Sequence, residues 1–228
     1  MKTKLIQADY KVFEGTYNEQ MPRLVKGGYK PLTSKDVMEY RVKALKNKDK
    51  NEIDFWVNKY WDTSTGLVYF NNDLIVVSNF KELLDINEKS DLNDGALEVK
   101  EQYEKLLKEN EAIKRDKIIS GRSLSKKEAK EHPILNKLAQ GDKSLLDYYV
   151  EAIFDKAWEV HGYNENMGVY LPDDQNVPLL RSWCLRYLDN GSNAVAWYDF
   201  NCDARLFGVR KKNFSSKNLE QRIEKQKF

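Results

Sequence analysis

The spacing of apolar residues divides the chain into a mixture of strands and helices. Residues 4–7 and 11–16 lean towards strand, with Tyr10, Val12, Phe13 and Tyr17 supplying bulk. Pro22, Gly27-Gly28 and Pro31 punctuate what reads as a loop. Thr33 with Asp36 three residues on resembles a capping box, and Val37, Met38, Val42 and Leu45 form the apolar stripe of the helix it opens. That helix dissolves in 46–50, and a second short one is expected over 53–60. Leu67-Val68-Tyr69-Phe70, the turn Asn71-Asn72 and Asp73-Leu74-Ile75-Val76-Val77 predict a hairpin, because Asn tolerates positive φ. Its register sets Phe70 opposite Asp73, Tyr69 opposite Leu74, Val68 opposite Ile75 and Leu67 opposite Val76. Both faces are then apolar, so the pair should be covered on both sides.

Asn79 is placed to cap a helix over 80–86. Residues 87–95 are polar and read as a linker. Residues 97–117 read as one long charged helix, with Glu101–Lys105, Glu104–Lys108 and Glu111–Arg115 at the favourable i, i+4 order. Ser125 with Glu128 is a second capping box, and His132-Pro133 interrupts that helix before a short one over 133–139. Ser144 with Asp147 opens a helix to about Val160, with Leu146, Tyr149, Val150, Ile153, Ala157 and Val160 inside and Gly162 as its stop. Residues 167–171 suggest a strand. Pro178 then starts a helix carrying Leu179, Leu180, Trp183, Cys184, Tyr187 and Leu188. Residues 194–200 and 204–209 predict a central hairpin around Asn201-Cys202-Asp203, with Asp199 opposite Arg205, Trp197 opposite Phe207 and Trp197 buried. Ser215 or Ser216 should cap a tail helix through Leu219 and Ile223. The fold class is therefore α+β: an N-terminal α/β portion (1–90), a long charged helix or connector (91–121), a C-terminal α+β portion with an antiparallel hairpin-based sheet (122–212) and a basic tail helix (213–228).

Composition narrows the class of molecule. With 228 residues, 41% of them hydrophobic, the chain can bury a core without staples, and its two cysteines exclude a disulfide scaffold. Apolar runs reach only about five residues, too short to span a membrane. A soluble, cytoplasmic protein with no membrane partner is expected. The formal net charge of +2 conceals blocks of opposite sign. Residues 205–227 hold eight basic residues against two acidic, and 114–130 hold seven against two. Residues 82–104 hold eight acidic against two basic, and 147–175 seven against one. Asp147, Glu151, Asp155 and Glu159 recur every four residues on one helix, where like charges repel. Basic residues from 121–130 or 211–227 should lie near some of them.

Candidate chemistry is sparse. His132 reads as a surface residue at a helix junction. His161 suits a helix C-terminus, where the dipole favours a cation, or a general base beside Asn164, Glu165 and Asn166. His132, His161, Cys184 and Cys202 hold no close pair of the kind a zinc site needs. Cys184 reads as a core residue and Cys202 as an exposed turn thiol. Asp62-Thr63-Ser64 shares its first two residues with the Asp-Thr-Gly-Ser loop of aspartic proteases, but Ser64 replaces the glycine and no second loop occurs; a polar turn entering a strand is expected. No cofactor or metal is implied. Basic charge after a strand carrying Trp197, Tyr198, Phe200 and Phe207 is a footprint of single-stranded nucleic-acid binding, with Arg210, Lys211, Lys212, Lys217 and Arg222 as contact residues. The leading function class is a non-enzymatic binding or interaction protein, its partner single-stranded nucleic acid or another protein. The competing class is a hydrolase using carboxylates and His161.

Overall fold

The computed structural model describes residues 10–210. In chain order they form β1 (Tyr10–Thr16), α1 (Tyr17–Lys26), β2 (Tyr29–Pro31), α2 (Ser34–Asn47), α3 (Lys50–Trp56), β3 (Trp61–Phe70), β4 (Asp73–Ser78), α4 (Lys81–Asp85), β5 (Leu92–Asn93), β6 (Ala96–Glu98), α5 (Lys100–Glu109), β7 (Ile113–Lys114), β8 (Leu124–Ser125), α6 (Lys126–Glu131), α7 (Pro133–Leu138), α8 (Lys143–His161), β9 (Glu165–Asn166), β10 (Val169–Tyr170), β11 (Leu179–Leu185), β12 (Ala194–Val195) and β13 (Asp203–Arg210). This is a mixed α+β protein built on a mostly antiparallel sheet whose main path runs β1-β13-β3-β11-β12-β10. No helix among the described residues is long and apolar enough to cross a membrane.

The centre of the sheet is buried on both sides. One face carries Trp61, Leu67, Tyr69, Leu179, Trp183 and Phe207, packed against α2, α7 and α8. The other carries Val68, Leu180, Leu206 and Phe13, packed against α1, α4 and α5. The β3–β4 hairpin has the register read from sequence: Phe70 pairs with Asp73 and Leu67 with Val76, and Asn71 and Asn72 both take positive φ. The Thr33–Asp36 and Ser125–Glu128 capping boxes form, and Gly162 ends α8 in the left-handed conformation. The acidic stripe of α8 finds its bases. Lys126 lies 2.7 Å from Glu151 and 3.0 Å from Asp155, Lys130 also binds Glu151, and Lys143 lies 2.9 Å from Asp147.

Several expectations need correcting. The punctuated loop after β1 is α1, which tolerates Pro22 because Tyr17, Gln20, Met21 and Leu24 bury one face of it. Asn79 caps nothing; its side chain accepts from Ser64 Oγ, and α4 starts at Phe80 without a side-chain cap. The helix expected over 97–117 is only α5. Residues on either side are drawn into the sheet, where β6 pairs with β11 and β7 with β4, and Glu111 pairs with Lys137 rather than Arg115. Asp142, not Ser144, caps α8. The run after Pro178 is the strand β11, not a helix, and every residue in it is buried. A strand covered on both faces shows no alternation, so its apolar spacing imitates a helix. The run from Asp62 to Gly66 is likewise interior strand rather than an entering turn. Its polar groups are satisfied there: Thr63 Oγ donates to the Trp183 carbonyl at 2.8 Å, and Thr65 Oγ takes the Ser34 amide at 3.0 Å.

The expected 194–209 hairpin does not form. β12 pairs with β11 and β10, whereas β13 runs antiparallel to β1 and parallel to β3. Arg205 therefore faces Glu14, and Asp199 is taken by Arg181. β13 is nonetheless central, and Gly208 admits large neighbours as expected. A Cβ there would stand 2.8 Å from Tyr29 Cβ, 3.0 Å from Leu24 Cγ and 3.2 Å from Phe13. Gly208→Ala should therefore cost about 1–3 kcal/mol by overpacking. Urea unfolding would measure it, and a loss under about 0.5 kcal/mol, ordinary for a surface change, would mean that the neighbours give way.

Candidate functional site

One end of the sheet gathers charge and aromatics by strand register alone. Asp62 on β3 pairs with Cys184 on β11, and the parallel β13 brings Arg205 alongside. Side chains two apart on a strand share a face. Tyr60, two before Asp62, and Arg186, two after Cys184, therefore emerge at the end of the same face. Asp62 lies beneath them, 5% exposed. Its Oδ2 accepts the Arg205 amide at 2.8 Å, and the Cys184 thiol also bonds to it. Burial pushes the Asp62 carboxyl up to about 6, against the pull of the Arg205 amide, Cys184 and the Arg186 charge. The Cys184 thiol is pushed well up by burial and by Asp62.

Above Asp62, the Arg186 guanidinium lies over three tyrosine rings: Tyr187 at 5.2 Å, Tyr198 at 5.5 Å and Tyr60 at 5.9 Å. It donates to the Tyr198 hydroxyl. Arg205 lies over Tyr60 at 5.5 Å and Trp61 at 5.7 Å and pairs with Glu14. These separations fall within the range of cation–π attraction. Beside them Trp197 stands 46% exposed, edge-on to Tyr170 at 5.2 Å and near Tyr198.

The segment that displays Trp197 and Tyr198 is held by its backbone. Ala196 donates to the Tyr170 carbonyl, Phe200 donates to Gly95, and the Asn18 amide donates back to Phe200. Arg181, 3% exposed, is the main clamp. It donates to the Trp197 carbonyl at 3.1 Å, to Asp199, to the Asp94 carbonyl and to the Tyr69 hydroxyl. The rings project from a fixed backbone, which spares the ordering entropy that a mobile loop spends on binding.

The residues singled out from sequence lie elsewhere. Of the five basic contact residues, Arg210 sits over Tyr29 at 5.4 Å, five residues and about 17 Å along β13 from Arg205. Lys211, Lys212, Lys217, Arg222 and the tail helix lie outside the described residues, as does the strand expected over 4–7. Trp197 is exposed, not buried, and its ring neighbours are Tyr170 and Tyr198. His132 is 3% exposed and not a surface residue. Its Nδ1 accepts the Ile134 amide, capping α7, and its Nε2 faces the Ile119 carbonyl at 2.7 Å. Burial lowers its pKa, so it serves as a neutral cap. His161 pairs with Asp189 at 3.0 Å and stacks on Tyr163, while Glu165 and Asn166 enter the β8–β9 pair. Cys184 is buried and Cys202 exposed, as read. Among the described residues no three His, Cys, Asp or Glu side chains converge as a metal site.

No protein-family model matches the chain, and no curated protein matches it. A solved structure described as "Accommodation of massive sequence variation in Nanoarchaeota by the C-type lectin fold" is similar to it, with a TM-score of 0.68 at 19% identity over 90% of this chain and 100% of the other. The chain thus shares its α+β architecture with a protein of the C-type lectin fold.

Proposed function

We propose that this chain is a binding protein that grips another protein with the aromatic and arginine side chains at the Asp62 end of its sheet. The observation that carries this reading is Trp197, exposed on a segment whose backbone is clamped by Arg181, beside Tyr198, Tyr187, Tyr60 and Arg186. Trp, Tyr and Arg are the residue types that dominate binding energy at protein interfaces. The fold is one whose described relative is associated with accommodating massive sequence variation. That association suits a scaffold whose specificity resides in surface side chains. Carboxylates share this end of the sheet with the arginines: Glu14 pairs with Arg205, Asp203 acts on Tyr60, and Asp199, held by Arg181, flanks Trp197. A nucleic-acid backbone requires a basic track, so this mixed charge favours a protein partner.

The test is a selection of displayed peptides against the full chain. Selected binders should lose about tenfold or more in affinity on Trp197→Ala, the cost of removing a hot-spot residue. They should be indifferent to Tyr148→Ala, which alters an exposed aromatic on α8. Binders that ignore Trp197, or depend on Tyr148, would sink the reading. Salt-dependent binding of poly(U) that Trp197→Ala abolishes would move the partner class to single-stranded nucleic acid.

A further inference from the structure

The contacts of the Arg186 guanidinium are with phenols rather than carboxylates: the Tyr198 hydroxyl and the rings of Tyr60, Tyr187 and Tyr198. Asp62 is buried on the same face of the sheet, opposite Cys184 and so two residues inside Arg186, close enough for the two charges to interact. We propose that Asp62 is a proton-operated control on Arg186. With the buried carboxyl protonated, Arg186 receives an acidic side chain of the partner; with it ionised, the guanidinium is already compensated and holds that side chain less tightly. This deepens the binding reading above and rests on it.

The groups around Asp62 fit that role. Tyr17 from α1, Tyr60 before β3, Cys184 on β11 and Tyr198 all have raised pKa values, and burial is the largest cause for each. They stay neutral while Asp62 titrates. Arg205 from β13 contributes its amide to Asp62 and its guanidinium to Glu14. Because burial raises the Asp62 carboxyl to about 6, its charge changes across mildly acidic pH, where an ordinary aspartate would remain ionised. Linkage makes the effect reciprocal: an anion bound at Arg186 strengthens proton binding at Asp62 by the same factor by which protonation tightens the anion. His161 pairs with Asp189, three residues beyond Arg186 in sequence, so the test has to separate Asp62 from that pair.

Inorganic sulfate is a suitable probe, since its charge is constant over this range. It would be titrated into the full chain at about pH 5 and about pH 7.5 at fixed ionic strength, with the Arg186 Nε–H NMR signal as readout. The wild type should bind about fivefold more tightly at the lower pH. Asp62→Asn should bind with the low-pH affinity at both, and Arg186→Met, or Arg186→Gln if the first fails to fold, should abolish the response. The proposal is overturned if the wild type shows no sulfate binding or no pH dependence. It is also overturned if Asp62→Asn keeps the wild-type dependence, which would place its source outside Asp62, or if the Arg186 variants bind unchanged. Binding peptides that ignore Trp197 while sulfate behaves as expected would defeat the protein-binding reading and leave the Asp62 control standing.

Discussion

Arg41→Met is expected to lower stability by about 4 kcal/mol, the largest loss anticipated for a single side chain here. Arg41 lies on α2 and is completely buried. Its Nε donates to the Trp56 carbonyl at 2.9 Å, Nη1 to the Tyr149 hydroxyl at 3.0 Å, and Nη2 to the carbonyls of Lys59 and Leu185, each at 3.0 Å. One guanidinium thus joins the end of α3, the segment leading to Tyr60, the end of β11 and the middle of α8. No carboxylate is among these partners, so the charge is held by dipoles. Replacing a buried ion pair with apolar groups can be neutral. Here, however, three of the four acceptors are backbone carbonyls that no substitution removes, and each buried orphan costs about 1–3 kcal/mol. Arg41→Lys should recover little, because an ammonium cannot span four acceptors that a planar fork reaches. Urea unfolding of both variants gives the measurement. A loss under about 1 kcal/mol, the ordinary range for a point change, would mean that water enters and satisfies the carbonyls. The same variant should loosen Tyr60 and Arg186, which flank two of the residues that Arg41 holds.

The readable parts of the fold were those whose determinants are local. The β3–β4 register followed from an Asn-Asn turn and pairwise counting, and the capping boxes at Thr33 and Ser125 from hydroxyl-to-acid spacing. What failed depended on distant partners. β11 is interior because helices from both ends of the chain cover its two faces, so no alternation marked it as strand. β13 leaves the neighbouring 194–200 segment for β1, about 190 residues earlier in sequence, and local spacing cannot register that preference. Pro22 marked a break, yet burial of Tyr17, Met21 and Leu24 outweighs the lost hydrogen bond. The candidate site failed for the same reason. Asp62 reads as a turn residue, and nothing in the local sequence marks Arg186. They meet only because β3 and β11 pair with Asp62 opposite Cys184. The one available signal is Trp197 and Tyr198 together, which reads both as the core of a hairpin with two apolar faces and, beside the basic tail, as a platform for stacking bases.

Asp62→Asn should stabilise the protein near neutral pH by about 2–3 kcal/mol, an unusual direction for a buried substitution. The carboxyl is raised from an ordinary 3.8 to about 6, with burial as the chief cause. An acid whose folded pKa exceeds its unfolded value contributes most stability below the unfolded pKa, and that contribution is lost as pH rises through the folded one. The wild type should therefore lose stability between about pH 4 and pH 6. Two pKa units correspond to about 3 kcal/mol, the cost of holding the ionised form in place at neutral pH. The asparagine oxygen still accepts the Arg205 amide, but its N–H groups face a weak acceptor in Cys184, which takes back part of the gain. The two proteins should be nearly equal at about pH 4 and diverge as Asp62 ionises. Urea unfolding across that range decides the matter: parallel profiles would show that Asp62 does not titrate there and would remove the physical basis for a proton acting on Arg186. A diverging pair would show that the sheet carries a costly charge beneath a half-buried arginine. Such a cost has a place where the charge serves binding rather than folding.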